Sequence, residues 1–225
     1  RSFLFFALGV FAGTGIDAPF TLKVPENGLI AVNVPLDPLR LGALSTRTTH
    51  PFYIARWNEA LRALGLQGRI ENPYWDRTKG EMVAGCANRH LLLQLVPSSL
   101  SCAAPTKNRH RGIGTQHCGY CLPCLIRRAA LKVGLQPIAD DPTNYTEELT
   151  ARALNTLQAE GVQVRSFQLA IERLRARPEL APILIHKPGP LFDETPDRQA
   201  TIAEVYRRGL EEVGVLLHGV RTTPV

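Results

Sequence analysis

Apolar positions along the chain fall into blocks whose periodicity changes several times. Ser2 to Gly13 is almost continuously apolar; Leu4, Leu8 and Phe11 share one helical face, and Phe3, Phe5 and Phe6 widen it nearly all round. A helix apolar on every side is normally buried between other elements. The block therefore predicts a core helix whose preceding strand lies upstream of Arg1, so that the chain reads as a fragment. Gly13, Gly15 and Pro19 then mark a turn, and Phe20 to Val24 reads as a short strand. Glu26, Asn27 and Gly28 form a loop leading into a second apolar run, Leu29 to Val34.

Pro35, Pro38 and Gly42 interrupt regular structure before a hydroxyl-rich stretch, Ser45-Thr46-Arg47-Thr48-Thr49-His50. Pro51 suits the first turn of a helix, with Thr49 as its cap. Phe52, Ala55, Leu61 and Leu64 supply the apolar side until Gly65. Gln67 to Glu71 predicts a strand. Thr78 and Glu81 have the spacing of a capping box, Leu91 to Val96 closes a further helix, and Leu125 to Val133 forms another. Strand and helix alternating in this way is the grammar of an α/β fold with a parallel sheet.

From Gly134 the composition shifts. Pro137, Asp140, Asp141, Pro142 and Asn144 read as a linker, followed by amphipathic helices over Glu147–Gln158, Phe167–Arg177 and Gln199–Leu210. The expected organisation is an α/β domain over residues 1–136 and a mostly helical extension over 137–225.

The cysteines carry the sharpest chemistry. Four of the five fall at Cys102, Cys118, Cys121 and Cys124. Cys-x-x-Cys-x-x-Cys places three thiolates within mutual reach, Gly119 permits the tight turn between them, and Cys102 returns across a loop as the fourth. Four thiolates with no open position make a structural zinc site. A disulfide framework suits a small secreted domain instead, and four cysteines also hold iron–sulfur clusters; the spacing and the odd total favour zinc. His117, adjacent to Cys118, is awkwardly placed to ligate beside it, and Cys86 reads as a small core residue.

Composition narrows the classes. With 44% hydrophobic and 20% charged residues over 225 positions, the chain buries a real core rather than remaining disordered. Its net charge of +6 is compatible with an anionic partner. The basic residues are scattered and paired stacking aromatics are missing, which makes nucleic acid an unlikely ligand. Arg1 and the apolar block imitate a signal peptide, but an initiating Met and a small-x-small cleavage pattern are lacking. No apolar stretch reaches the roughly 18–20 residues of a membrane span, so the expected location is cytoplasmic.

Larger strings point further. Ser101-Cys102, then Cys118-Gly119-Tyr120-Cys121-Leu122-Pro123-Cys124, then a helix with an early arginine at Arg127 or Arg128, resemble the zinc segment of the 7-cyano-7-deazaguanine synthase (QueC) family. Asn72-Pro73-Tyr74 and Thr78-Lys79-Gly80-Glu81-Met82 extend the likeness, as do Arg1 and the helix after it. Val24 to Ile30, Leu44 to Pro51, Ile70 to Pro73 and Pro105 to Arg109 are similar to the QueC-like proteins of bacterial anti-phage systems, called QatC. The likeness covers Arg1 to about Leu131.

The resemblance implies a HUP-type, or PP-loop ATPase, fold and an ATP-dependent ligase. Such an enzyme adenylates the carboxylate of a 7-deazaguanine for attack by an amine. It departs from the family in one respect: the pyrophosphate loop, Ser-Gly-Gly-x-Asp-Ser, is not in these 225 residues. ATP and Mg2+ are therefore expected only with the complete protein, and a protein partner from the same defence system is conceivable. The alternative is a zinc-stabilised, non-catalytic binding module or scaffold.

Five residues are candidates for substrate or nucleotide. Glu26 and Asn27 lie just past a strand end, where open parallel sheets place ligands, and a carboxylate beside an amide suits the donor-rich edge of a deazaguanine. Arg47 and His50 offer donors for carboxylate or phosphate. Lys79 opens a helix, where the dipole favours anions over cations, and suits a phosphate. Lys107, Arg109, His110 and Arg111 form a basic loop inside the cysteine cluster, read most simply as solvated.

Overall fold

The computed structural model describes residues 2–16, 18–36, 47–106, 112 and 114–223. The elements run α1 (Ser2–Thr14), β1 (Phe20–Lys23), α2 (Gly28–Val32), α3 (Pro51–Ala63), β2 (Gly68–Glu71), α4 (Lys79–Ala84) and α5 (Arg89–Leu95). They continue with α6 (Leu122–Gly134), β3 (Leu154–Asn155), α7 (Ala159–Ala176), α8 (Ala181–Leu184), α9 (Pro196–Leu216) and β4 (Thr222–Thr223). Two compact units emerge, residues 1–77 with 179–206, and 78–178 with 207–225. Each draws on both sides of residue 136. Among the described residues no helix is long and apolar enough to cross a membrane.

In the first unit β1 and β2 pair in parallel, Phe20 opposite Gly68 through Lys23 opposite Glu71. Phe6 and Val10 of α1, Leu61 of α3 and Ile70 of β2 form the buried core, with Phe20, Leu22, Tyr53 and Trp57 packed around it. The Phe20 ring is pinched between two glycines: a Cβ on Gly13 would stand 2.5 Å from it and one on Gly68 only 2.2 Å. Asn58 of α3 closes one edge of the pair. Its Nδ2 donates to the Ile70 carbonyl (2.9 Å) and its Oδ1 accepts from the Ile70 amide (2.7 Å), satisfying backbone groups that would otherwise template another strand.

Three expectations change in this unit. The first helix is not a core helix on every side: Phe6, Val10 and Gly13 are buried, while Phe3, Leu4, Phe5, Leu8 and Phe11 are exposed, Phe11 to 76%. One helix face meets the sheet, and the described residues cover no more. The buried side of α3 is Tyr53, Ile54, Trp57 and Leu61, and Leu64 lies outside at 71% exposure. Its cap is His50 rather than Thr49, because the imidazole Nδ1 accepts the Phe52 amide (3.3 Å). The expectations resting on Arg1, Pro38, Gly42, Leu44, Ser45 and Thr46 lie outside the described residues.

In the second unit the capping box at α4 forms as expected, with Thr78 and Glu81 exchanging hydrogen bonds (2.9 and 3.1 Å). Gly134 lets α6 meet α4 closely, since a Cβ there would stand 2.5 Å from the Gly80 carbonyl oxygen. Residues 147–158 do not form the expected helix; they run through turns into β3, which pairs in parallel with β4. Periodicity alone misjudged them because the Leu154 and Thr156 amides, interior to the expected helix, donate instead to the Arg221 and Thr223 carbonyls (2.9 and 3.2 Å). The segment just after the expected linker packs on the cysteine loop, the Thr146 and Glu147 amides donating to the His117 and Cys118 carbonyls (3.0 and 3.2 Å).

Replacing Gly68 with Ala should overpack the Phe20 site and lower the unfolding free energy by about 1–3 kcal/mol. Gly15→Ala, whose Cβ would meet only the Ala12 carbonyl oxygen at 3.5 Å, should change it by less than about 0.5 kcal/mol. Urea titration of the two variants measures the difference.

Candidate metal centre and polar cluster

The four cysteines converge. The Sγ atoms of Cys102, Cys118, Cys121 and Cys124 all lie within 4.8 Å of one another. The Cys118–Cys124 and Cys102–Cys121 separations are 4.0 Å each. Zinc–sulfur bonds of about 2.3 Å in a tetrahedron require sulfurs about 3.8 Å apart, so this donor set fits the ion with a small contraction. Cys118 and Cys124 are buried, and Cys102 and Cys121 are half-buried.

Local sequence builds the geometry. Gly119 has φ +86°, and a Cβ there would stand 2.9 Å from the Glu147 carbonyl oxygen, so only glycine makes the turn. The Cys121 amide points at Cys118 Sγ (3.3 Å) and the Ala103 amide at Cys121 Sγ (3.5 Å). Cys121 is the N-cap of α6 and Pro123 lies in its first turn, so the helix dipole also favours the thiolate. The Cys118 and Cys124 thiols hydrogen-bond to Cys121 and hold it down near 3, against the opposing effect of burial. Cys124 is pushed above the ordinary thiol range by the same sharing, with Cys118 foremost, and by burial. A cation that replaces the shared protons releases this conflict at once.

His117 is not a member of the donor set. Its Nε2 meets the Ser99 carbonyl at 2.9 Å, while Nδ1 lies 3.7 Å from Cys124 Sγ. Arg127 is 5% exposed, and its hydrogen bonds go to hydroxyls and a carbonyl instead of a core acid: Ser99 Oγ (2.7 Å), Ser101 Oγ (3.3 Å), Val96 O (2.5 Å) and Thr143 Oγ1 (3.1 Å). Arg128 stacks on Tyr145 (4.4 Å) and donates to the Glu147 carbonyl (3.0 Å). Four thiolates around a divalent cation leave a net negative centre, and buried guanidinium charge on the following helix offsets it. Cys86 is half-buried, not a core residue, its thiol turned to the Asn88 carbonyl.

Among the candidate ligand residues, Glu26, Asn27, Arg47 and His50 belong to the first unit and Lys79 to the second. Glu26 and Asn27 do lie just past the end of β1. Asn27 is fully buried and caps α2, its Oδ1 accepting from the Ile30 amide (3.2 Å) while Nδ2 donates to Glu26 Oε1 (2.7 Å). Asn72, past the end of β2, completes the network: it accepts from the Glu26 amide (3.1 Å) and donates to the Glu26 carbonyl (2.7 Å). The motif alone did not single out Asn72, because its partner is 46 positions away. A groove of about 410 Å3 opens beside it, bordered by Thr49, Asn58, Trp75, Asp193 and Arg198.

His50 is 2% exposed, its Nε2 is buried without a hydrogen-bond partner among the described residues, and Gly189 packs over the ring. Burial, reinforced by Arg47, lowers its pKa to about 4. At α4 the amides near Lys79 are already engaged. Glu212 accepts from the Gly80 amide (3.1 Å) and from the Thr78 hydroxyl, and burial pushes its carboxyl up. A carboxylate thus occupies the helix end where a phosphate beside Lys79 would bind. The basic loop residues Lys107, Arg109, His110 and Arg111 lie outside the described residues.

Purified protein should carry one equivalent of zinc, and Cys118→Ser should lose it together with a large drop in Tm, as metal analysis and thermal unfolding would show. Free reaction of all four thiols in the metal-replete protein would contradict this. A second expectation concerns His50. Its folded pKa lies below the unfolded value, so only the unfolded state takes the proton between pH 6.5 and about 4, and stability falls as pH falls through that window. The loss from this residue approaches about 3 kcal/mol. His50→Asn keeps a capping side chain and should flatten that part of the pH profile in denaturant titrations. Comparison with protein-family models, with curated proteins and with solved structures finds no match to this chain.

Proposed function

We propose that the chain is the zinc-bearing portion of an ATP-dependent ligase of the 7-cyano-7-deazaguanine synthase-like (QueC-like) type. The enzyme would activate a 7-deazaguanine carboxylate by adenylation for attack by an amine, in the setting of anti-phage defence. The observation that carries this reading is the four-cysteine cluster with the hydrogen bonds of Arg127 to Ser99 and Ser101 behind it. Those bonds give a physical reason for a serine before the first cysteine and an early arginine after the last. The parallel β1–β2 pair, with polar side chains past both strand ends, is compatible with a HUP-type sheet.

Under this reading zinc is structural and supplies no chemistry to the reacting atoms. Glu26 accepts from the N–H edge of the base through Oε2, while Asn27 holds Oε1. Arg47 pairs with the carboxylate or the adenylate phosphate, and Asn27, Asn72 and His50 hold the strand ends and α3 in register. The pyrophosphate of ATP, with its Mg2+, falls to a loop that these 225 residues do not contain.

A protein-binding scaffold is the second reading, favoured by the exposed aromatic face of α1. The two separate in one assay of the complete protein: AMP release on addition of ATP, Mg2+, 7-carboxy-7-deazaguanine and hydroxylamine as the attacking amine. The ligase reading expects substrate-dependent AMP, reduced about ten- to a hundredfold by Glu26→Gln or Arg47→Ala, the scale of one charge-assisted hydrogen bond. Substrate-independent or undetectable AMP from zinc-loaded protein would leave the scaffold.

A further inference from the structure

We propose that the second unit holds a binding site for a small organophosphate in the pocket between α7, the end of α9 and β4, with Arg165, Arg175 and Arg221 as its cationic lining. The pocket encloses about 480 Å3, within the range of small-molecule sites. On α7, positions 165, 168, 172 and 175 recur at three- and four-residue intervals and so share one face, and all four line the pocket. His218 and Arg221 line it from the other side, and Glu172 is its one carboxylate.

The charge there is unspent. Among the described residues, no ion pair or hydrogen bond engages the guanidinium of Arg165, Arg175 or Arg221. Arg56, Arg152, Arg198 and Arg208 by contrast are all paired with carboxylates. Clustering like charges without counter-ions costs free energy, which a bound dianion would recover through bidentate contacts.

The cluster is also held in place. Gln168 donates to the Val220 carbonyl (2.9 Å) and accepts from the Thr222 hydroxyl (2.9 Å), while the Leu154 amide donates to the Arg221 carbonyl (2.9 Å). These bonds tie the segment carrying Arg221 to α7 and to β3. At Gly214 a Cβ would stand 3.2 Å from Arg175 Nη2, so the guanidinium lies close along α9. Beneath the charges, Ile171, Leu217 and Val220 are buried and supply an apolar floor. A cationic rim over an apolar floor selects a phosphoryl group attached to an organic body rather than a bare anion.

The inference stands independently of the ligase reading. Its test is calorimetric titration of the zinc-loaded protein at low ionic strength with phenyl phosphate, inorganic phosphate, phenol and a short single-stranded oligonucleotide. Saturable binding of phenyl phosphate is expected, about tenfold tighter than inorganic phosphate and weakened at least about tenfold in Arg175→Gln/Arg221→Gln. These side chains are exposed, so the variant should keep the wild-type Tm. Three outcomes overturn the proposal: no saturable binding of phenyl phosphate, binding unchanged in the double variant, or phenol binding as tightly. Oligonucleotide binding with phenyl phosphate silent would assign the charge to a nucleic-acid backbone, and overturns it equally.

Discussion

Four thiols brought to one point organise the second unit more than any other contact. Around the cluster lie the turn at Gly119, the start of α6 at Cys121 and the returning loop at Cys102. Their geometry follows from what a tetrahedral thiolate site demands. Around it the chain supplies what such a site needs. Amides of Ala103 and Cys121 aim at sulfur, and Arg127 takes up the nearby carbonyl and hydroxyls while bringing a buried positive charge. Tyr145, under Arg128 and hydrogen-bonded to Asp141 (2.6 Å), fastens the segment after α6 to the same loop. Metal affinity in such an arrangement adds to the folding free energy.

The first unit rests on a different kind of constraint, a small parallel pair whose polar groups are satisfied by asparagines. Asn58 occupies the backbone of Ile70, Asn72 joins the chain after β1 to the chain after β2, and Asn27 both caps α2 and holds Glu26. Two of the candidate ligand residues are therefore also structural. Asn27 holds only Oε1 of Glu26, through its amide (3.0 Å) and Nδ2 (2.7 Å), so among the described residues Oε2 is left to accept from a ligand. His50 is similar: its Nδ1 is committed to the start of α3, and its ring is neutral at physiological pH because burial disfavours the charged form.

Electrostatics separates two kinds of arginine. Those at 56, 152, 198 and 208 are closed by carboxylates, and Arg127 by hydroxyls and carbonyls. The arginines around the α7–α9–β4 pocket are not closed in this way among the described residues, so part of the chain's positive excess is gathered at one place instead of spread as solvated charge. The scattered appearance of basic residues along the sequence conceals this, because α7, α9 and β4 contribute to the pocket from positions far apart in the chain.

Local rules decided what the sequence could settle by itself. The cysteine set, the glycine turn within it, the capping box at Thr78 and Glu81, and the two strands of the parallel pair all follow from spacing over a few residues. Each is a short-range demand of metal geometry, backbone dihedral or helix end. What packs against what was settled only in three dimensions. Apolar periodicity could not say that α1 buries Phe6 and Val10 while leaving Phe3, Leu8 and Phe11 outside, because burial depends on which neighbours arrive. Nor could it show that Glu147–Gln158 gives up a helix when the Leu154 and Thr156 amides find carbonyls at Arg221 and Thr223. The Glu26–Asn72 network and the arginine pocket stayed hidden for the same reason: their members meet through tertiary contacts, and a local pattern carries no record of a partner tens of residues away.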